Sequence, residues 1–231
     1  MKRLGMLGGT GPESTIDYYR LILEEHARRR PDQGNPPILI NSVNFRELMP
    51  FMESHDWEGL ARWLAAQFEI LGRAGADFGL ISANTPHVAY ELLELISPLP
   101  LLSILSSTAE EASRRGFRRL ALLGTRLTME GRFYPDEFER RGMELVVPRE
   151  AELEFVNRKY FDELFVGIFK EETRESFRAL ILDMVHRDSV DAVVLGGTEL
   201  PLLLRQVDDL PVPLLDTAKI HASAAVDRIL S

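Results

Sequence analysis

Cysteine is absent from the 231-residue chain, which removes disulfides, zinc held by thiolates and thiol chemistry from consideration. Histidine is scarce: the five present, at positions 26, 55, 87, 186 and 221, include no pair at metal-ligand spacing, so no metal is expected. No apolar run approaches the roughly 18 to 20 residues that cross a bilayer, and the opening MKRLGMLGGTGP meets glycines too early for a secretory signal. The expectation is a cytoplasmic protein with no membrane partner. Lys and Arg number 27 against 36 Asp and Glu, a net charge of −9. Basic clustering is confined to His26–Arg30, which reads as the cationic end of a helix. A nucleic-acid partner is therefore not expected.

A nucleotide fingerprint is missing as well. In LGGTGPEST, Gly9 and Gly11 lead to Ser14 rather than to a third glycine, and the following strand, ILINSVNF, ends without the acidic residue that would hold a ribose. No Gly-Lys-Ser/Thr loop occurs either, so no nucleotide cofactor is expected. What the segment does offer is a glycine turn before a helix whose start is marked by Pro12, Glu13 and Ser14; its free N–H groups suit a carboxylate or phosphate.

Short apolar runs alternate with longer amphipathic segments, the pattern of α/β layers around mainly parallel sheets. Strands are predicted near 3–7, 37–43, 77–81, 101–103, 120–123, 144–147, 192–195 and 212–214. Helices are predicted over 13–29, 57–74, 87–96, 108–116, 131–141, 152–169, 172–187 and 217–230. The pattern repeats: RLGMLGG at Arg3 resembles RLALLGT at Arg119, and ADFGLISANT around Asp77 resembles VDAVVLGGTE around Asp191, at nearly the same spacing and in the same order. Buried strands of any origin share such Val/Leu runs, so chance likeness is the competing explanation. Duplication implies two similar three-layer α/β subdomains, residues 1–105 plus 208–231 and residues 106–207, with a hinge near Ser103–Thr108. Ligands of open α/β sheets bind beyond the carboxyl ends of the strands, so the ends at Gly8–Thr10, Ser82–Thr85, Gly124–Thr125 and Gly196–Glu199 are expected to line a cleft between the subdomains.

Several side chains near these ends carry chemistry. Arg46 directly follows the second strand, where a guanidinium can grip a carboxylate in two places or simply pair with Glu47. Asn84–Thr85 and Thr198–Glu199 occupy matching places in the halves and suit the carboxylate and amine of an amino acid; helix capping is the plainer role for Thr198 and Glu199. His87 and His221 lie near helix starts, where packing or capping competes with catalysis.

These segments resemble the aspartate/glutamate racemase family over essentially the whole chain and in the family's order. GMLGGTGPESTIDYY resembles its opening Leu-Gly-Gly-Met-x-x-x-Ser-Thr-x-x-Tyr-Tyr segment, SANTPH its Cys-Asn-Thr-x-His and LGGTELPLLL its Gly-Cys-Thr-Glu-Leu. LALLGTRLTM and DTAKIHASAAV are similar to its middle strand and closing helix. The resemblance implies two subdomains related by a pseudo-twofold axis, a homodimer, no cofactor, and racemisation by two opposed thiols, one removing the α-proton while the other supplies a proton to the opposite face. In this chain those two positions are Ala83 and Gly197, neither of which can hold a proton. Thr10, Asn84, Thr85, Thr125, Thr198 and Glu199 are carried over as ligand contacts, with Arg46 added as a carboxylate receptor. Two functions stay open: an enzyme acting on a small amino acid or dicarboxylate through one-sided proton chemistry at Glu199, with Thr85, His87 or a water, or a catalytically silent protein that binds the same ligands.

Overall fold

A computed structural model describes residues 1–204 and 209–231. The chain divides into two compact units, residues 1–107 with 218–231 and residues 108–217. In the first unit, strands β1 (Leu4–Gly8), β2 (Ile38–Ser42), β3 (Phe78–Ile81) and β4 (Leu101–Leu102) alternate with helices α1 (Pro12–Arg29), α2 (Met49–Glu53), α3 (Trp57–Arg73) and α4 (Tyr90–Ile96), and α5 (Ile104–Arg114) follows. In the second, β5 (Arg119–Gly124), β6 (Glu144–Val146), β7 (Ala192–Gly196) and β8 (Leu214–Asp216) are joined through α6 (Arg126–Glu130), α7 (Phe133–Glu139), α8 (Glu150–Asp162), α9 (Glu171–Asp188) and α10 (Leu200–Leu204). Helix α11 (Thr217–Leu230) returns to the first unit. Both sheets are wholly parallel and share one order, β2-β1-β3-β4 and β6-β5-β7-β8.

Central parallel strands are covered on both faces, and so every residue of β1, β3 and β7 is buried. Alternation sorts their side chains. Leu4, Met6, Phe78 and Leu80 pack with Tyr18 and Ile22 of α1 and Ala222, Ala225 and Val226 of α11. Leu7 and Ile81 pack on the other face with Leu60, Leu64 and Phe68 of α3. Helix α3 begins where Asp56 Oδ1 accepts the Gly59 N–H at 2.8 Å, and its buried residues recur every three to four positions. In the second unit Ala121, Leu123, Val193 and Leu195 meet Val156, Tyr160, Phe177 and Ile181 from α8 and α9.

The repeat read from the sequence has a local counterpart. The Asp77 carboxylate accepts the Arg3 N–H at 2.6 Å, and the Asp191 carboxylate accepts the Arg118 N–H at 2.8 Å. Each aspartate thus ties the entry of its strand to that of the neighbouring strand. Charged acceptors make such backbone bonds stronger than neutral ones.

The first boundary between the units falls at 107/108, inside the Ser103–Thr108 stretch; the stretch is helical, because Ser103 Oγ accepts the Leu105 and Ser106 N–H groups at 3.2 and 3.3 Å and caps α5. Two expectations change. The helix predicted over 152–169 stops at Asp162: Glu163 folds back onto Lys159 at 2.5 Å, Lys170 at 3.3 Å and Thr173 at 2.5 Å, and Gly167 takes a left-handed φ of 75°. The return crossing drawn at 207/208 falls in residues 205–208, outside those described; β8 pairs with β7, so residues 214–216 lie in the second sheet.

Candidate functional site

Each sheet has a switch point where its connections turn in opposite directions, between β1 and β3 in one and between β5 and β7 in the other. The loops leaving those strands are the favoured ligand positions in such sheets. They carry the four segments singled out from the sequence.

In the first unit the β1 loop is held tight. Gly9 has a φ of 84°, and a Cβ there would come within 2.2 Å of the Val43 carbonyl, so only glycine fits. The Gly9 N–H donates to Thr15 Oγ1 at 2.9 Å, and Ser14 Oγ donates to the Ser82 carbonyl at 2.6 Å, which joins the loops after β1 and β3. Thr10, 3% exposed, has a buried hydroxyl with no hydrogen-bond partner among the described residues. Such an orphan is uncommon and calls for a water or ligand. Asn84 is buried, while Ala83 and Thr85 are half-buried. Arg46 stands exposed in a short 3-10 turn, its N–H bound to Asn44 Oδ1 at 3.1 Å. Its guanidinium pairs with no acidic side chain among the described residues, so the expected alternative partner, Glu47, is not engaged.

His87 and His221 are packed in the same unit. The His87 ring stacks on Tyr90, and its Nε2 accepts the Ile104 N–H at 3.4 Å. His221 Nε2 donates to the Leu102 carbonyl at 3.0 Å, which leaves Nδ1 to accept the Tyr18 hydroxyl at 2.9 Å. Burial lowers His87 to about 4, against a weaker upward pull from the backbone of Ala83 and Asn84. Burial, then the neighbouring His87, lowers His221 to about 3. Both rings are neutral near pH 7.

In the second unit Thr125 caps α6: its Oγ1 accepts the Thr128 N–H at 3.3 Å and lies 3.1 Å from Thr128 Oγ1. Thr198 and Glu199, each 4% exposed, follow Gly196 and Gly197. Thr198 Oγ1 donates to Glu199 Oε2 at 3.1 Å, and the Tyr160 hydroxyl donates to that same oxygen. Burial raises the Glu199 pKa, partly countered by its bonds from Tyr160, its own backbone and Thr198. Burial also raises Tyr160 well above 10, with the Glu199 charge adding to it. Among the described residues no three His, Asp or Glu side chains gather into a metal site.

The structure thus sets Thr10, Asn84, Thr85 and His87 around one switch point, with Arg46 on the loop after β2, and Thr125, Thr198 and Glu199 around the other. Tyr160, bonded to Glu199, is a neighbour of these candidates that sequence reading missed. It lies 39 positions before Glu199 in a segment readable only as an amphipathic helix, and no local pattern marks it.

The model of the Asp/Glu/Hydantoin racemase family matches residues 7–225. The chain is similar to a Yersinia pestis protein described as a candidate Asp/Glu racemase, with 36% identity, all of both chains covered and a TM-score of 0.90. It is similar to PH1733, an aspartate racemase homologue from Pyrococcus horikoshii OT3, with 37% identity, all of both chains covered and a TM-score of 0.85. It also matches the broad-specificity amino-acid racemase RacX of Bacillus subtilis (strain 168), 23% identical over 235 residues that cover 99% of this chain and 98% of RacX.

Proposed function

Because the chain belongs to the Asp/Glu/Hydantoin racemase family, we propose that it binds a small amino acid or dicarboxylate and acts, without a cofactor, on the proton beside the carboxylate. Thr10, Asn84 and Thr85 in the first unit, and separately Thr125 and Thr198 in the second, are the candidate neutral hydrogen-bonding residues for a ligand, and Arg46 is the candidate carboxylate receptor. His87 stays neutral and holds the loop after β3. Glu199 accepts the proton, directly or through a water.

The observation that carries this reading is Glu199 itself, a buried carboxylate with a raised pKa at the carboxyl end of β7. A desolvated carboxylate is a stronger base than one in water. RacX handles several amino acids, which favours a small amino acid as ligand. Two-thiol racemisation is excluded by composition, since Ala83 and Gly197 stand where the thiols would be.

Those two positions also favour a second reading, a silent binding protein. Calorimetry with L- and D-aspartate, L- and D-glutamate and simple dicarboxylates tests for the ligand, and assay of the tightest binders for isomerisation, elimination or decarboxylation tests for turnover. The proposal expects binding in the panel and turnover that Glu199→Gln abolishes. Binding without turnover favours the silent protein, and turnover unaffected by Glu199→Gln removes Glu199 from the mechanism.

A further inference from the structure

No side chain fits at residue 197 while Tyr160 is in place. A Cβ built on Gly197 would lie 2.5 Å from the Tyr160 hydroxyl, 2.6 Å from its Cε2 and 2.9 Å from its Cζ. Backbone conformation is not the reason for the glycine, because Gly197 is not among the glycines with positive φ. The phenol simply occupies the volume in which a side chain would begin. Its ring belongs to the apolar cluster of Leu153, Val156, Leu164 and Leu200, so the hydroxyl is fixed in position. That hydroxyl is bonded to Glu199 Oε2, the same oxygen that Thr198 Oγ1 reaches.

We infer that Tyr160 is the proton-transferring group at the carboxyl end of β7, with Glu199 as the base that takes and returns its proton. The inference rests on the reading that a small acid binds at this loop. In the forward step the Tyr160 oxygen takes the proton from the ligand's α-carbon while its own proton passes to Glu199 Oε2. The C–H electron pair remains on carbon; the phenol ends neutral, and the carboxylate becomes a carboxylic acid. The reverse step returns a proton to the same carbon, so no other reactant is consumed. Burial supports both roles, since it makes the Glu199 carboxylate more basic and keeps Tyr160 protonated between transfers. A single proton-handling group works on one face of the α-carbon only. Exchange should therefore proceed with configuration retained.

The test incubates the full chain with L- and D-aspartate and L- and D-glutamate in deuterium oxide, following α-deuterium by mass spectrometry, configuration by chiral chromatography and affinity by calorimetry. The wild type should exchange with retention. Tyr160→Phe should keep its affinity within about threefold and lose exchange by roughly 100-fold or more, the usual size of a general acid-base contribution. Site-specific 3-fluorotyrosine at Tyr160 keeps the ring and hydrogen bond while lowering the phenol pKa; it should change the exchange rate, as a purely structural tyrosine would not. Exchange that survives Tyr160→Phe but not Glu199→Gln overturns the inference and leaves Glu199 as the direct base. Binding without wild-type exchange overturns the inference and leaves the binding reading intact, whereas no binding to any of the four overturns both. Racemised product also overturns it, because it requires a second proton-handling group.

Discussion

The Tyr160 hydroxyl lies 2.5 Å from the point where a Cβ on Gly197 would stand, and a methyl group there must displace the ring. Overpacking of this kind typically costs about 1–3 kcal/mol. Urea denaturation of Gly197→Ala should show a loss of that size. In a Tyr160→Ala background the same change should cost far less, so the double variant falls short of the summed single losses by about 1–3 kcal/mol. Additive losses would mean that the two residues do not compete for space.

Thr10 and Thr125 are both buried threonines at strand ends, but only Thr125 has a bonded hydroxyl. Thr125→Val should cost about 1 kcal/mol through the lost helix cap. Thr10→Val removes a hydroxyl that does nothing for the fold, so stability should stay within about 0.5 kcal/mol while ligand affinity falls by about fivefold, roughly one hydrogen bond. Denaturation and calorimetry on the same samples separate the two. A Thr10→Val variant that unfolds readily but binds normally would make its hydroxyl structural.

Neutral buried histidines give the fold a pH dependence. The folded pKa values of about 4 for His87 and about 3 for His221 lie below the ordinary 6.5, so between them and 6.5 the unfolded chain binds more protons and stability falls as pH falls. From pH 7 to 5 each histidine should contribute a loss of roughly 2 kcal/mol. Glu199 acts in the opposite direction, because its raised pKa favours the folded state as pH falls. Glu25 and Glu163, lowered to about 2 by their Arg and Lys partners, act only below their ordinary 4.5. His221→Gln and His87→Gln should each lose about 2 kcal/mol less than the wild type over that interval. Denaturation midpoints of equal pH slope in all three proteins would refute the assignment.

Arg46 is exposed and has no acidic partner among the described residues. Arg46→Gln should leave stability within about 0.5 kcal/mol. Affinity for aspartate or glutamate should fall about tenfold or more, the worth of a charge-assisted hydrogen bond, while affinity for a monocarboxylate such as alanine changes little. Equal weakening of both ligand classes would exclude a role in reading the second carboxylate.

The strands were legible because parallel strands buried on both faces must be unbroken apolar runs, as GMLG and AVVLG are. The duplicated Asp77 and Asp191 were visible as sequence repeats, and each has the same structural use. Ser103 was legible only in part: the boundary between the units does fall in its serine-rich stretch, but only the bonds from Leu105 and Ser106 show that the stretch is a capped helix. Glu199 was legible as a candidate from its place after a strand, and the missing side chain at Gly197 was visible too. What fills the space beside it was not. Tyr160 reaches it only through the packing of α8 into the core of the second unit, a relation that helical periodicity does not encode.

The central claim is that a small acid is held by the loops at the carboxyl ends of the switch-point strands, and a crystal structure of the chain with bound L-aspartate tests it most directly. The account predicts a ligand carboxylate within hydrogen-bonding distance of Thr10, Asn84 or Thr85 at one switch point, or a ligand in contact with Thr198 or Tyr160 at the other. Aspartate bound away from all of these residues would contradict it.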